Sequence, residues 1–143
     1  RYPEKWAVLI GGGLNHRMGL FDAILIKDNH IDSSETIEKA ILSVKGYLKK
    51  NNFKIPVYIE VRNKEELNEA LKHTWIDRII LDNMSIHDTR ESVSYANGSF
   101  LIESSGNITK KNIKDYAETG VDFVSMGSIT HSASIIDMSL VKI

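Results

Sequence analysis

The chain has 143 residues, enough for one domain with a sizeable core, and its 42% hydrophobic and 26% charged residues describe an ordinary globular protein rather than a disordered one. A net charge of -1 argues against a general nucleic-acid or membrane surface, because both partners favour clustered positive charge. The absence of cysteine excludes disulfides, thiolate metal sites and cysteine nucleophiles and fits a reducing compartment such as the cytoplasm, while no apolar stretch approaches the roughly 20 residues needed to span a bilayer.

In chain order, Arg1-Tyr2-Pro3-Glu4-Lys5 passes at once into Trp6-Ala7-Val8-Leu9-Ile10. Without an initial Met, such an opening is expected of a piece of a longer polypeptide, and no signal-peptide pattern is visible. The apolar run is a candidate first strand broken by Gly11-Gly12-Gly13, and is equally compatible with a turn of helix. A polar loop with His16 and Arg17 leads to a strand over 22–26. Ser33-Ser34-Glu35 offers N-cap chemistry for a helix carrying Ile37, Ala40, Ile41, Val44 and Leu48 on one face. Shorter units follow: a strand over 57–61, a helix over 64–73 presenting Leu67, Ala70 and Leu71, a strand over 78–81 and a helix over 85–95. A strand over 99–102 precedes a helix over 109–119 with Ile113, Tyr116 and Ala117 inward, ended by Gly120. A strand over 121–125 and a terminal element over 135–143 complete the pattern.

No linker or low-complexity segment interrupts residues 1–143, so one α/β domain is expected. Its strands read as uninterrupted apolar runs, the mark of parallel strands buried on both faces. Units of about twenty residues, each strand ending in polar residues, favour a barrel over an open sheet. A complete eight-unit barrel needs about 250 residues, so the expectation is a partial barrel, a smaller barrel or an open sheet.

Chemistry in such folds gathers at the carboxyl ends of the strands. The glycine-rich turn before His16 and Arg17 delivers an imidazole and a guanidinium; it lacks the spacing of a Walker loop or a dinucleotide fingerprint, and by itself is also an ordinary turn. Lys27, ending the run Ala23-Ile24-Leu25-Ile26, suits an anionic ligand or a structural ion pair. Glu60 and Asp82 end successive strands on one rim, where they could meet Mg²⁺ on a polyphosphate, stabilise an oxocarbenium-like cation, or cap the following helices. Ser104-Ser105-Gly106-Asn107 and Gly127-Ser128, with Thr130-His131-Ser132, are small-residue turns that can seat phosphate or simply turn the chain. Together these residues suit a highly anionic substrate, a phosphorylated sugar with Mg²⁺, without naming a reaction.

Taken in order, several segments resemble the quinolinate phosphoribosyltransferase family, also called nicotinate-nucleotide pyrophosphorylase (carboxylating). They are Arg1-x-x-Glu4-Lys5-Trp6-Ala7-Val8, Gly11-Gly12-Gly13-x-Asn15-His16-Arg17, Leu25-Ile26-Lys27-Asp28-Asn29-His30-Ile31, Glu60-Val61 and Leu81-Asp82-Asn83. Glu103-Ser104-Ser105-Gly106, Gly120-Val121-Asp122 and Gly127-Ser128-x-Thr130-His131-Ser132 extend the match through nearly the whole chain. The resemblance implies the C-terminal, partial TIM-like barrel of an enzyme that transfers phosphoribosyl from phosphoribosyl pyrophosphate to quinolinate. Carbon dioxide is lost and nicotinate mononucleotide formed, in de novo NAD synthesis. It implies that His16, Arg17 and Lys27 hold the quinolinate carboxylates, with Lys27, Glu60 and Asp82 as the catalytic set. Glu60 and Asp82 would face the ribose and its Mg²⁺-bound pyrophosphate. Ser105, Gly106, Asn107, Gly127 and Ser128 would seat the 5′-phosphate, with His131 beside it. It also implies a homodimer or higher assembly whose sites borrow a basic residue from the partner's N-terminal domain. That domain, with the first barrel strand, would lie before Arg1. Two positions depart from the family's pattern: Asn107 stands where a second glycine is usual, and Arg62 where a second acid is usual. Alternatives are a related transferase acting on another aromatic carboxylate, a phosphoribosyl-binding module without turnover, and an inert fragment with exposed strand edges.

Overall fold

The computed structural model describes residues 2–142, which fall into two compact units: 16–126, and 2–15 together with 127–142.

The larger unit is built on a five-stranded sheet, β1 (Ile24–Ile26), β2 (Val57–Val61), β3 (Arg78–Asp82), β4 (Leu101–Ser105) and β5 (Phe123–Val124), all parallel and adjacent in chain order. Helices α2 (Asp28–Ser33), α3 (Ile37–Asn51), α4 (Lys64–Ala70), α5 (Ile86–Ala96) and α6 (Ile113–Ala117) alternate with the strands. Successive parallel neighbours linked by helices give the expected partial barrel. Side chains alternate across a strand. Ile26, Val57, Ile59, Val61, Ile79, Leu81 and Ile102 point to one face and pack with Ile31, Ile37, Ala40, Ile41, Leu67, Ala70 and Ala96 of the helices. Each fully buried aliphatic side chain there contributes roughly 1.5–3 kcal/mol. The alternate residues, Tyr58, Glu60, Arg78, Ile80, Asp82, Glu103 and Ser105, are thereby committed to the opposite face.

The helices begin where local hydrogen bonding allows. Thr36, rather than the Ser33-Ser34-Glu35 group, caps α3 by accepting from the Lys39 N–H, Glu35 having a positive φ of 65°. Asn63 caps α4 and Ser85 caps α5. Helix α4 ends at Ala70 rather than 73, and β4 begins at Leu101 and runs on through Ser105. The 109–119 segment is helical only over α6, because Asn112 takes the Thr109 N–H at 2.7 Å and holds 109–112 as a turn. Ile113 and Tyr116 are half-buried there, but Ala117 is exposed.

One tie recurs at the amino ends of the strands. Asp77, just before β3, accepts from the Val57 N–H at 2.8 Å and returns its own N–H to the Val57 carbonyl at 2.9 Å. Asp122, just before β5, does the same with Ile102, at 2.8 and 2.9 Å. Each aspartate satisfies an N–H near the start of the preceding strand, that of the first residue in β2 and of the second in β4, which would otherwise be left unpaired.

In the smaller unit, Trp6–Ile10 is not a strand but part of α1 (Tyr2–Ile10). Pro3 is tolerated in the first turn, and Glu4 lies at the positive end of the dipole. Gly12, at φ 81°, closes α1 with a Schellman motif: its N–H reaches the Leu9 carbonyl at 3.0 Å and the Gly13 N–H reaches that of Val8 at 2.9 Å. The glycine run is thus a helix cap. A four-residue helix, α7 (Ser128–His131), follows Gly127. Residues 133–142 form no helix or strand, in contrast to the expected terminal element, and Ile143 lies outside the described residues.

Candidate functional site

Register places Lys27, Glu60, Asp82 and Ser105 on one face near the carboxyl ends of the strands. Ile26 pairs with Ile59, which puts Lys27 level with Glu60; Glu60 pairs with Ile80, and Ile80 with Glu103. One step higher, Asp82 pairs with Ser105. The Lys27 Nζ lies 3.5 Å from Glu60 Oε2. Burial pushes the Glu60 carboxyl above its ordinary value, Lys27 pulls it back, and the neighbouring Asp82 and Asp28 charges raise it again. Two carboxylates that disfavour each other's charge are a fitting pair of oxygen donors for a hard divalent cation.

Lys27 is also the residue before α2, and its backbone N–H donates to His30 Nδ1 at 2.9 Å, fixing the strand-to-helix turn from which its side chain leaves. The guanidinium of Arg17 donates to the Ala23 carbonyl at 3.1 Å, and Asp22 accepts from the Met18 and Gly19 N–H groups. These bonds pin the loop from His16 into β1.

The turns after β3 and β4 are locked to each other. Asn83, Gly106 and Asn107 all have positive φ, and Asn107 Nδ2 donates to Asn83 Oδ1 at 2.8 Å. A Cβ on Gly106 would stand 2.3 Å from that oxygen and 2.8 Å from the Asn83 nitrogen, so only glycine fits. Asn107 holds the left-handed conformation in place of the usual glycine, and uses its amide to bind the adjacent turn. Arg62, in place of the usual acid, is engaged by Glu66 and Asp32 in an exposed ion-pair group.

Beneath Ser105 lies a group that motif reasoning gave no role. Glu103 is buried on β4, with Arg78 Nη1 at 2.7 Å on Oε2 and the Ser125 hydroxyl donating to Oε1. The Nε2 of His16 lies 3.4 Å from the same Oε1. The Arg78 guanidinium sits 3.8 Å from the ring centre of Phe123 and 4.9 Å from that of Tyr58. Burial raises the Glu103 carboxyl, but the contacts from His16, Ser125 and Arg78 outweigh it and hold the group at about 2. The available signal in the sequence was a single glutamate directly after the apolar Phe100-Leu101-Ile102.

Gly127, Ser128 and His131 belong to the smaller unit, where Gly127 precedes α7 and a Cβ on it would come within 3.1 Å of the His131 ring. At the amino ends of the larger unit's strands, away from the Lys27 rim, a cavity of about 420 Å³ is lined by Ile76, Val93, Phe100, Gly120 and the carboxylates of Asp77 and Asp122. Both aspartates are engaged in their strand ties. Among the described residues no helix is long and apolar enough to cross a membrane.

Comparison with known proteins gives one answer. The family description "Quinolinate phosphoribosyl transferase, C-terminal domain" matches residues 1–141. A curated relative named quinolinate phosphoribosyltransferase [decarboxylating] 2, mitochondrial, from Nicotiana glauca is 44% identical over 98% of this chain and 44% of its own length. The solved nicotinate-nucleotide pyrophosphorylase of Francisella tularensis superposes with a TM-score of 0.81 at 45% identity, over 92% of this chain and 44% of that one. NadC from Streptococcus pyogenes gives 0.83 at 40% identity, over 90% and 44%. The chain therefore spans less than half the length of the relatives it matches.

Proposed function

The chain belongs to the quinolinate phosphoribosyltransferase family, as a C-terminal domain, and on that premise we propose that the protein transfers phosphoribosyl from phosphoribosyl pyrophosphate to quinolinate in NAD synthesis. The pyridine nitrogen bonds to the ribose, pyrophosphate departs, and one carboxyl group leaves as CO₂ to give nicotinate mononucleotide. The observation that carries the proposal is the shared face of Lys27, Glu60, Asp82 and Ser105, with Lys27 3.5 Å from a carboxylate that burial has made costly to ionise.

In this proposal Lys27, His16 and Arg17 bind the two quinolinate carboxylates, orienting the ring nitrogen toward the ribose. Glu60 and Asp82 face the ribosyl centre, where positive charge develops as the pyrophosphate bond lengthens. The turn Ser105-Gly106-Asn107 seats the 5′-phosphate, supported by the close backbone approach at Gly106. A phosphate-binding role for Gly127 and Ser128, with His131 beside them, rests on the family resemblance. Mg²⁺ suits the Glu60–Asp82 donor set and would supply neutralisation of the pyrophosphate charge. A homodimer or higher assembly rests on the resemblance, and a cytoplasmic location on the cysteine-free composition; sedimentation and cell fractionation of the complete polypeptide test these two.

The decisive assay incubates the complete polypeptide containing this chain with quinolinate, phosphoribosyl pyrophosphate and Mg²⁺ and follows nicotinate mononucleotide. Product is the expected result. Its absence overturns the substrate assignment.

A further inference from the structure

We propose that Glu103 is the positioning residue for His16, holding its imidazole through Nε2 so that the ring meets a quinolinate carboxylate in one fixed orientation. The inference rests on the function proposed above and deepens it by assigning work to a group below the substrate-facing residues.

Three features carry it. The first is placement: Glu103 occupies the same cross-strand row as Lys27 and Glu60, and lies two residues before Ser105 on the same face of β4. The second is an excess of donors. Arg78 alone balances the buried charge, and the Ser125 hydroxyl supplies a further hydrogen bond. The side chain of His16 is 36% exposed while that of Glu103 is 2% exposed, so the contact at 3.4 Å ties a substrate-facing ring to a fixed interior group. The third is rigidity. His16 also meets Tyr58 edge-on, with ring centres 5.8 Å apart, and Tyr58 is itself held under Arg78. Both groups that fix the imidazole are thus anchored by one guanidinium, which Phe123 backs from β5.

An imidazole held by a carboxylate at one nitrogen has its proton assigned to that nitrogen, and its ring plane follows. Binding a dicarboxylate then requires no reorientation of the ring, the usual advantage of a supported site. The bonds that keep Glu103 low keep it anionic throughout the physiological range, so the anchor does not switch off.

The test is steady-state kinetics on the complete polypeptide with Glu103→Gln, Glu103→Asp, His16→Ala and the Glu103→Gln/His16→Ala double variant. Glu103→Gln is expected to raise KM for quinolinate about tenfold, the loss of one charge-assisted contact, while KM for phosphoribosyl pyrophosphate stays near wild type. In the His16→Ala background the same change should add nothing further, since its effect passes through that ring. Glu103→Asp keeps the charge opposite Arg78 but draws the carboxylate back by a methylene; it is expected to fold and to reproduce the quinolinate defect, and it decides the matter should Glu103→Gln not fold. Multiplying defects in the double variant, equal rises in both KM values, or an unaltered quinolinate KM in Glu103→Asp would overturn the inference. An inactive wild type would overturn the function itself, which separates the two failures.

Discussion

Lys27 and Glu103 illustrate opposite uses of a charged side chain. The ion pair of Lys27 with Glu60 is half open to solvent, and such pairs contribute about 0–1 kcal/mol. Lys27→Ala should therefore abolish turnover of the complete polypeptide while leaving its melting temperature nearly unchanged, and should push the Glu60 carboxyl still higher by leaving burial and Asp82 unopposed. A large fall in melting temperature would instead make the pair structural. Glu103 carries stability. Its carboxyl falls from an ordinary 4.5 unfolded to about 2 folded, so the folded state gives up the proton more readily. The resulting stability, on the order of 3 kcal/mol, is complete above pH 4.5 and drains away as pH falls toward 2. Denaturant unfolding across that window should show the loss, and Glu103→Gln should flatten it.

Among the elements, the strands are the best defined by their own residues, because parallel strands covered by helices need unbroken apolar runs. The five runs over 23–26, 57–59, 79–81, 100–102 and 123–125 each fall on a strand, although β2 continues through Glu60 to Val61 and β4 extends three residues past its apolar run to Ser105. The amino ends of the strands depend on pairs that no local pattern predicts. Asp77 and Asp122 each satisfy the N–H of a strand residue twenty positions earlier. Asp77→Ala should cost about 1–3 kcal/mol by leaving the Val57 N–H unpaired, and Asp122→Ala a similar amount at Ile102. The two carboxylates line one cavity and their strands β3 and β4 are paired, so thermal unfolding of the double variant should depart from the sum of the single losses. A markedly smaller loss from either single change would mean that water replaces the carboxylate.

For the molecule as a whole, the chain matches its relatives along nearly all of its own length but under half of theirs. In the smaller unit Trp6 is 68%, Ile10 71% and Leu140 103% exposed. The expected outcome is that the 143-residue chain by itself forms no nicotinate mononucleotide under conditions where the complete polypeptide does; equal turnover by both would make the chain a sufficient catalyst. Residue identity alone determined the alternation of strands and helices, the rim residues Lys27, Glu60, Asp82 and Ser105, and the family, because these follow from local periodicity and ordered motifs. Tertiary structure decided that Trp6–Ile10 is helical and that Asn107 clasps Asn83. It also decided that Arg78, Glu103, Ser125 and His16 form one charged cluster. Those outcomes depend on side chains that meet across strands and turns, and sequence spacing carries no record of which of them will touch.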